Sequence, residues 1–185
     1  MGTNSVYLIP RESAMTASEW SAKVREVLVE MGVVEFGDDS DPSNFGNGEH
    51  ADSAFESGGV EEDEQGPFDF GFVHQYPGAV FLPEPYAETP MCPHCGSEVK
   101  ADVAALRWDE DGNEREIDMR ELRITCPKCA RRLRLDELKD DFGTKFYLSD
   151  RFVEFSDARM PREEWLREFN ARMGVEHDVL EYGYT

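Results

Sequence analysis

Four cysteines constrain this chain more than any other feature. They fall into two C-x-x-C pairs, Cys92-Pro93-His94-Cys95 and Cys126-Pro127-Lys128-Cys129, separated by thirty residues. A C-x-x-C turn aims two thiolates at one point while its backbone N–H groups bond to the sulfurs, and two such turns complete a tetrahedral metal site. To close that site the chain must double back between the pairs. Val103 to Trp108 reads as one strand, Asp109 to Asn113 as a turn, and Ile117 to Thr125 as the returning segment. Leu133 and Leu135 alternate after the second pair and are expected in a third strand. Four thiolates saturate a tetrahedral ion and leave no position for water, so Cys92, Cys95, Cys126 and Cys129 are expected to stabilise the fold and not to hydrolyse a substrate.

The knuckle sequences C-P-H-C-G and C-P-K-C-A resemble a four-cysteine zinc ribbon over residues 90–138. The resemblance implies a structural zinc; rubredoxin-type iron sites use similar knuckles, which leaves iron as the lesser alternative. Gly96 suits the first knuckle, where the backbone turn favours positive φ, and Ala130 departs from that pattern at the second. C-P-H-C also resembles the active-site sequence of strongly oxidising thioredoxin-like thiol oxidases, which implies a thiol–disulfide oxidoreductase with a low-pKa Cys92 at a helix N-terminus. The residues on either side, Gly96-Ser97 and Glu98-Val99, read instead as loop and strand. Two structural disulfides would need a more oxidising compartment than the cytoplasm.

Charge is the second constraint. The chain carries 40 Asp and Glu against 19 Lys and Arg, a formal −21 over 185 residues. From Glu26 to Val99 there is no Lys or Arg, and 17 carboxylates stand in those 74 residues. A surface wholly adapted to nucleic acid or anionic lipid is therefore excluded. Residues 37–66, rich in Gly, Ser, Asn and acid and ending in Glu61-Glu62-Asp63-Glu64, are expected to form an acidic loop or linker. No apolar run is long enough for a membrane span or a signal segment, so the expected location is the cytoplasm.

The remaining residues carry core signals. Val6 to Ile9 predicts a strand. Thr16-x-x-Glu19 predicts a capping box ahead of a helix with Trp20, Val24, Val27, Leu28 and Met31 on one face, ended by Gly32, and Val33 to Phe36 a strand after it. Phe68, Phe70 and Phe72 alternate, and with Ala79 to Leu82 beyond Tyr76-Pro77-Gly78 they predict a hairpin whose aromatics are core. Lys145 to Leu148 and Arg151 to Phe155 predict strand segments. Pro161 opens a helix with Trp165, Leu166, Phe169 and Met173, capped by Gly174, and Val179, Leu180 and Tyr182 a last strand. The expected fold is α+β: a mostly antiparallel sheet with two packed helices, built from residues 1–36, 67–89 and 140–185, with a zinc ribbon inserted at 90–139.

No catalytic motif emerges. Asp39 and Asp41 begin no calcium loop, because Asn44 and His50 stand where glycine and glutamate are required. Gly46-Asn47-Gly48 lacks the context of a dinucleotide fingerprint. His50, His74, His94 and His177 are scattered, and His74, beside the aromatic alternation, is the one to inspect. The leading expectation is a non-enzymatic, acidic protein-binding module that uses Glu61, Glu62, Asp63 and Glu64 on a basic partner; in size and acidity it resembles bacterial immunity proteins that neutralise toxins. The alternative partner is nucleic acid, met by Lys128, Arg131, Arg132 and Arg134 around the second knuckle.

Overall fold

In a computed structural model of the chain, the described residues are 3–37, 44–56, 66–82, 90–99, 119–139 and 145–184. The chain divides into two compact units, residues 1–75 with 151–185, and residues 76–150. The strands are β1 (Thr3–Pro10), β2 (Val34–Phe36), β3 (Asn44–Asn47), β4 (Phe70–Leu82), β5 (Ile124–Thr125), β6 (Arg132–Leu133), β7 (Tyr147–Ser156) and β8 (His177–Tyr184). The helices are α1 (Ala17–Glu30), α2 (Ala51–Ala54) and α3 (Glu163–Met173). Six strands form an open, mostly antiparallel sheet in the order β2-β3-β4-β7-β1-β8, and β5 pairs with β6 separately. No described helix is long and apolar enough to cross a membrane.

Local chemistry accounts for both long helices. The Thr16 side chain accepts the Glu19 amide while the Glu19 carboxylate reaches back to the Thr16 amide, so two orphan donors are satisfied at the start of α1. These bonds from Thr16 hold the Glu19 carboxyl below its usual range. Trp20, Val24, Val27 and Leu28 recur at helical spacing and are buried. Gly174, at φ 68°, ends α3, whose Trp165, Phe169 and Met173 face the same core.

Alternation along the sheet supplies the other wall of that core. Val6 and Leu8 stand opposite Phe155 and Val153 across the β1–β7 ladder, and all four join the side chains of α1 and α3. Phe155 is the hub of an aromatic cluster, with ring centroids 5.4 Å from Phe45, 5.0 Å from Phe55 and 5.1 Å from Phe68. Residues 5, 7, 152, 154, 72 and 74 alternate onto the opposite face, away from α1 and α3.

The structure corrects three sequence expectations. Within 37–66, the described residues 44–56 are not loop: β3 and α2 form there, and Phe45, Ala51, Ala54 and Phe55 enter the core. The hairpin expected around Tyr76-Pro77-Gly78 is one continuous strand, β4. β3 pairs with β4 at Gly71 and Phe72, so Pro77 falls beyond that ladder, where a missing N–H costs no bond to β3. Of the three alternating phenylalanines Phe68 is core, whereas Phe70 is 40% exposed. The reason is the start of the strand: Phe68 precedes β4 and turns inward, and Phe70 and Phe72 take the face opposite α1 and α3. The expected strand Val103 to Trp108 and the turn after it lie outside the described residues.

Candidate metal centre

The unit spanning 76–150 has its own apolar core, made of Val99, Met119, Leu133, Leu135, Leu138 and Phe146 around the buried Cys92 and Cys126. The returning segment expected at Ile117 to Thr125 contains a 3-10 turn at Met119–Glu121 followed by β5. Leu133 closes β6, and Leu135 begins a second 3-10 turn, not a strand.

Two knuckles of matching geometry present the cysteines. At the first, the Cys92 amide donates to the Ser97 carbonyl at 2.9 Å and the Gly96 amide to the Cys92 carbonyl at 2.9 Å. At the second, the Cys126 amide donates to the Arg131 carbonyl at 2.9 Å and the Ala130 amide to the Cys126 carbonyl at 3.0 Å. Gly96 has φ 62° and Ala130 φ 57°, so the alanine takes the same left-handed turn as the glycine. Backbone bonds between Met91 and Lys139 tie the start of the first knuckle to the chain leaving the second.

All four sulfurs lie within 4.8 Å of one another. Cys92 Sγ is 3.8 Å from Cys129 Sγ, and Cys95 Sγ is 3.6 Å from Cys126 Sγ. Four sulfurs at about 2.3 Å from a central ion with tetrahedral angles stand about 3.8 Å apart, so the spacing and the all-thiol donor set fit a metal ion. The electrostatics agree. The backbone N–H of Cys129 and the Ser97 hydroxyl draw the Cys126 thiol down to about 5, and Ser97 also lowers Cys95. The Arg131 amide pulls Cys129 in the same direction, but burial and the neighbouring thiols outweigh it and push Cys129 up to about 11. One thiolate is welcomed and the last is resisted; a cation at the centre removes that resistance.

Sequence reasoning missed two contributors. The Ser97 hydroxyl lies 3.1 Å from Cys95 Sγ and 3.3 Å from Cys126 Sγ, bridging the knuckles. His94, exposed as expected for a knuckle tip, has its Nδ1 3.0 Å from the Arg131 guanidinium on the other knuckle. Their sequence signal was faint: each is one polar residue in a short turn, and its partner on the other knuckle is 29 positions away for Ser97 and 37 for His94.

The basic residues around the second knuckle are partly engaged. Lys128, Arg131, Arg132 and Arg134 are exposed, but Arg134 pairs with Asp136, Arg120 reaches Asp150 at 3.7 Å, and Arg123 donates to the carbonyls of Arg120 and Leu122. Glu61, Glu62, Asp63 and Glu64 lie outside the described residues. The first knuckle does not open a helix: residues 93–95 are a turn and the chain then bridges at Glu98. Of the other histidines, His177 is buried in the first unit and His74 Nε2 sits 2.9 Å from Glu154 Oε2. No family model matches the chain, and no match was found among curated proteins or solved structures.

Proposed function

We propose that the chain is a non-enzymatic, zinc-stabilised binding module for a basic protein, of the inhibitor or immunity type. The observation that carries the first half is the convergence of four thiols, a donor set that suits zinc as a structural ion. The charge carries the second half: −17 of the formal −21 falls in the stretch without Lys or Arg. Such a surface speeds encounter with a cationic partner and loses strength as salt rises. Cys92, Cys95, Cys126 and Cys129 hold the ion, and the run Glu61 to Glu64 meets the partner.

Native mass spectrometry with elemental analysis of untagged protein tests the ion; one zinc per chain is expected, and iron or no metal would overturn the assignment. A captured partner is expected to elute at moderate salt and to bind more weakly when Glu61, Glu62, Asp63 and Glu64 are replaced by their amides. Unchanged affinity would sink the acidic-run reading.

A second reading, nucleic-acid binding, is favoured by the exposure of Lys128, Arg131 and Arg132 together on one knuckle. It predicts low-salt binding to DNA or RNA that Arg131→Ala with Arg132→Ala weakens. The thiol–disulfide reading lacks the helix that would activate Cys92.

A further inference from the structure

One side chain outside the four cysteines touches the sulfurs of both knuckles. Ser97, half-buried two residues past Cys95, places its hydroxyl 3.1 Å from Cys95 Sγ and 3.3 Å from Cys126 Sγ. Its backbone serves the same site: the carbonyl accepts the Cys92 amide at 2.9 Å, and the N–H bonds to Cys95. Ser97 thus holds three of the four cysteines, two within its own knuckle and one across the gap.

The second knuckle shows which of these bonds the turn alone produces. Arg131 stands two residues past Cys129, as Ser97 does past Cys95, and its carbonyl accepts the Cys126 amide at 2.9 Å. Its N–H bonds to Cys129 in the same way. The Arg131 side chain, however, goes to His94 Nδ1 at 3.0 Å. The backbone bonds are therefore common to both turns, and the hydroxyl between two sulfurs belongs to one.

A hydroxyl suits a bridge between thiols whether or not an ion is present, because it has one proton to give and two lone pairs with which to accept. Without an ion it can accept from the Cys95 thiol while it donates to Cys126, which keeps the knuckles within bonding distance. Around a divalent ion four thiolates leave a formal excess of two negative charges. The hydroxyl proton then goes to one sulfur and disperses part of that excess. An aliphatic side chain of the same shape does neither.

We infer that Ser97 is a positioning residue of the metal centre, whose hydroxyl ties Cys95 to Cys126 and donates to a ligating sulfur once the ion is bound, so that it sets how tightly the ion is held. The inference rests on the reading of the four cysteines as a zinc site and names the residue outside the ligand set that tunes it.

The test compares Ser97→Thr, which keeps the hydroxyl, with Ser97→Val, which has the same shape without it. The full chain is loaded with cobalt(II), whose thiolate charge-transfer band reports on the sulfurs, and with zinc in competition with a chromophoric chelator. Ser97→Val is expected to bind zinc about tenfold to a hundredfold more weakly and to move the cobalt band to lower energy, whereas Ser97→Thr matches the natural chain in both. Ser97→Ala, which adds no bulk, carries the same expectation as the valine if the valine does not fit. His94→Ala removes the other side-chain bond between the knuckles without taking a donor from a sulfur, and is expected to leave the band in place. A band that moves equally in His94→Ala and Ser97→Val overturns the donor role. A natural chain that binds zinc, with Ser97→Val and Ser97→Ala binding it equally well, overturns the inference alone; a natural chain that takes up neither metal overturns the zinc reading and the inference with it.

Discussion

His177 is buried at the meeting of α1, α3 and β8, where its environment fixes its chemistry. The Trp20 indole donates to His177 Nε2 at 3.3 Å, which makes Nδ1 the protonated nitrogen, and Nδ1 donates to Asn170 Oδ1 at 2.8 Å. Asn170 passes the chain of bonds on to Glu176 at 3.0 Å. Burial lowers the imidazole pKa from 6.5 to about 4, outweighing the Val175 backbone and the Asp178 charge, which favour the protonated ring. The unfolded chain therefore takes up a proton between those values and the folded one does not. The stability from this group is complete above pH 6.5 and is lost as pH falls toward 4, by about 3 kcal/mol in all. Urea unfolding of the natural chain and of His177→Gln at several pH values isolates the effect, and the variant is expected to lose that part of the slope. Ala130 makes the opposite case, a residue its backbone does not suit. Held at φ 57°, it is strained, so Ala130→Gly is expected to stabilise the metal-loaded protein by about 0.5–1 kcal/mol, checked by its thermal midpoint.

The elements differ in how local their causes are. α1 is written into its own residues: cap, apolar stripe and terminal glycine agree, and Thr16→Ala is expected to cost about 1 kcal/mol in denaturant unfolding. β3 and α2 are not. β3 stands by pairing with β2 and β4, and α2 because Glu56 donates to the Met160 carbonyl, Arg162 donates to the Ala54 carbonyl, and Phe55 bridges to Pro161, contacts with residues about a hundred positions away. Composition alone, dominated by Gly, Ser and acid, pointed to a loop, and two phenylalanines outweigh it by filling the centre of the core. Phe55→Ala is expected to cost about 3–5 kcal/mol. The strand β4 depends on a neighbour as well: a Cβ at Gly71 would lie 2.3 Å from the Phe45 ring and 2.6 Å from the Glu154 carbonyl. Gly71→Ala is therefore expected to destabilise by about 1–3 kcal/mol through overpacking.

At the scale of the whole molecule there are two cores of different origin. One is a layer of helices on a sheet, rich in aromatics; the other is a few leucines, a valine, a methionine and a phenylalanine gathered around four sulfurs. With an ion held by the four sulfurs, a core that small would owe much of its stability to the cross-link. Chelation is expected to abolish amide protection at 90–99 and 119–139 while α1 and α3 keep theirs, as read by hydrogen exchange with mass spectrometry. Simultaneous loss of protection in both would show that the aromatic core also depends on the metal.

By itself the sequence determined the parts whose causes lie within a turn or two. These are the capped helices, the strands β1 and β8, the α+β class and the identity of the four cysteines, because capping, alternation and C-x-x-C spacing are short-range physics. The tertiary structure decided what depends on residues far apart. It folded Phe45 and Phe55 out of an acidic stretch, carried β4 straight through Pro77-Gly78, turned Phe70 and Phe72 away from the core and brought Glu154 up to His74. Each outcome was settled by a neighbour that no local window contains, since burial and strand pairing outweigh the small energies of local preference.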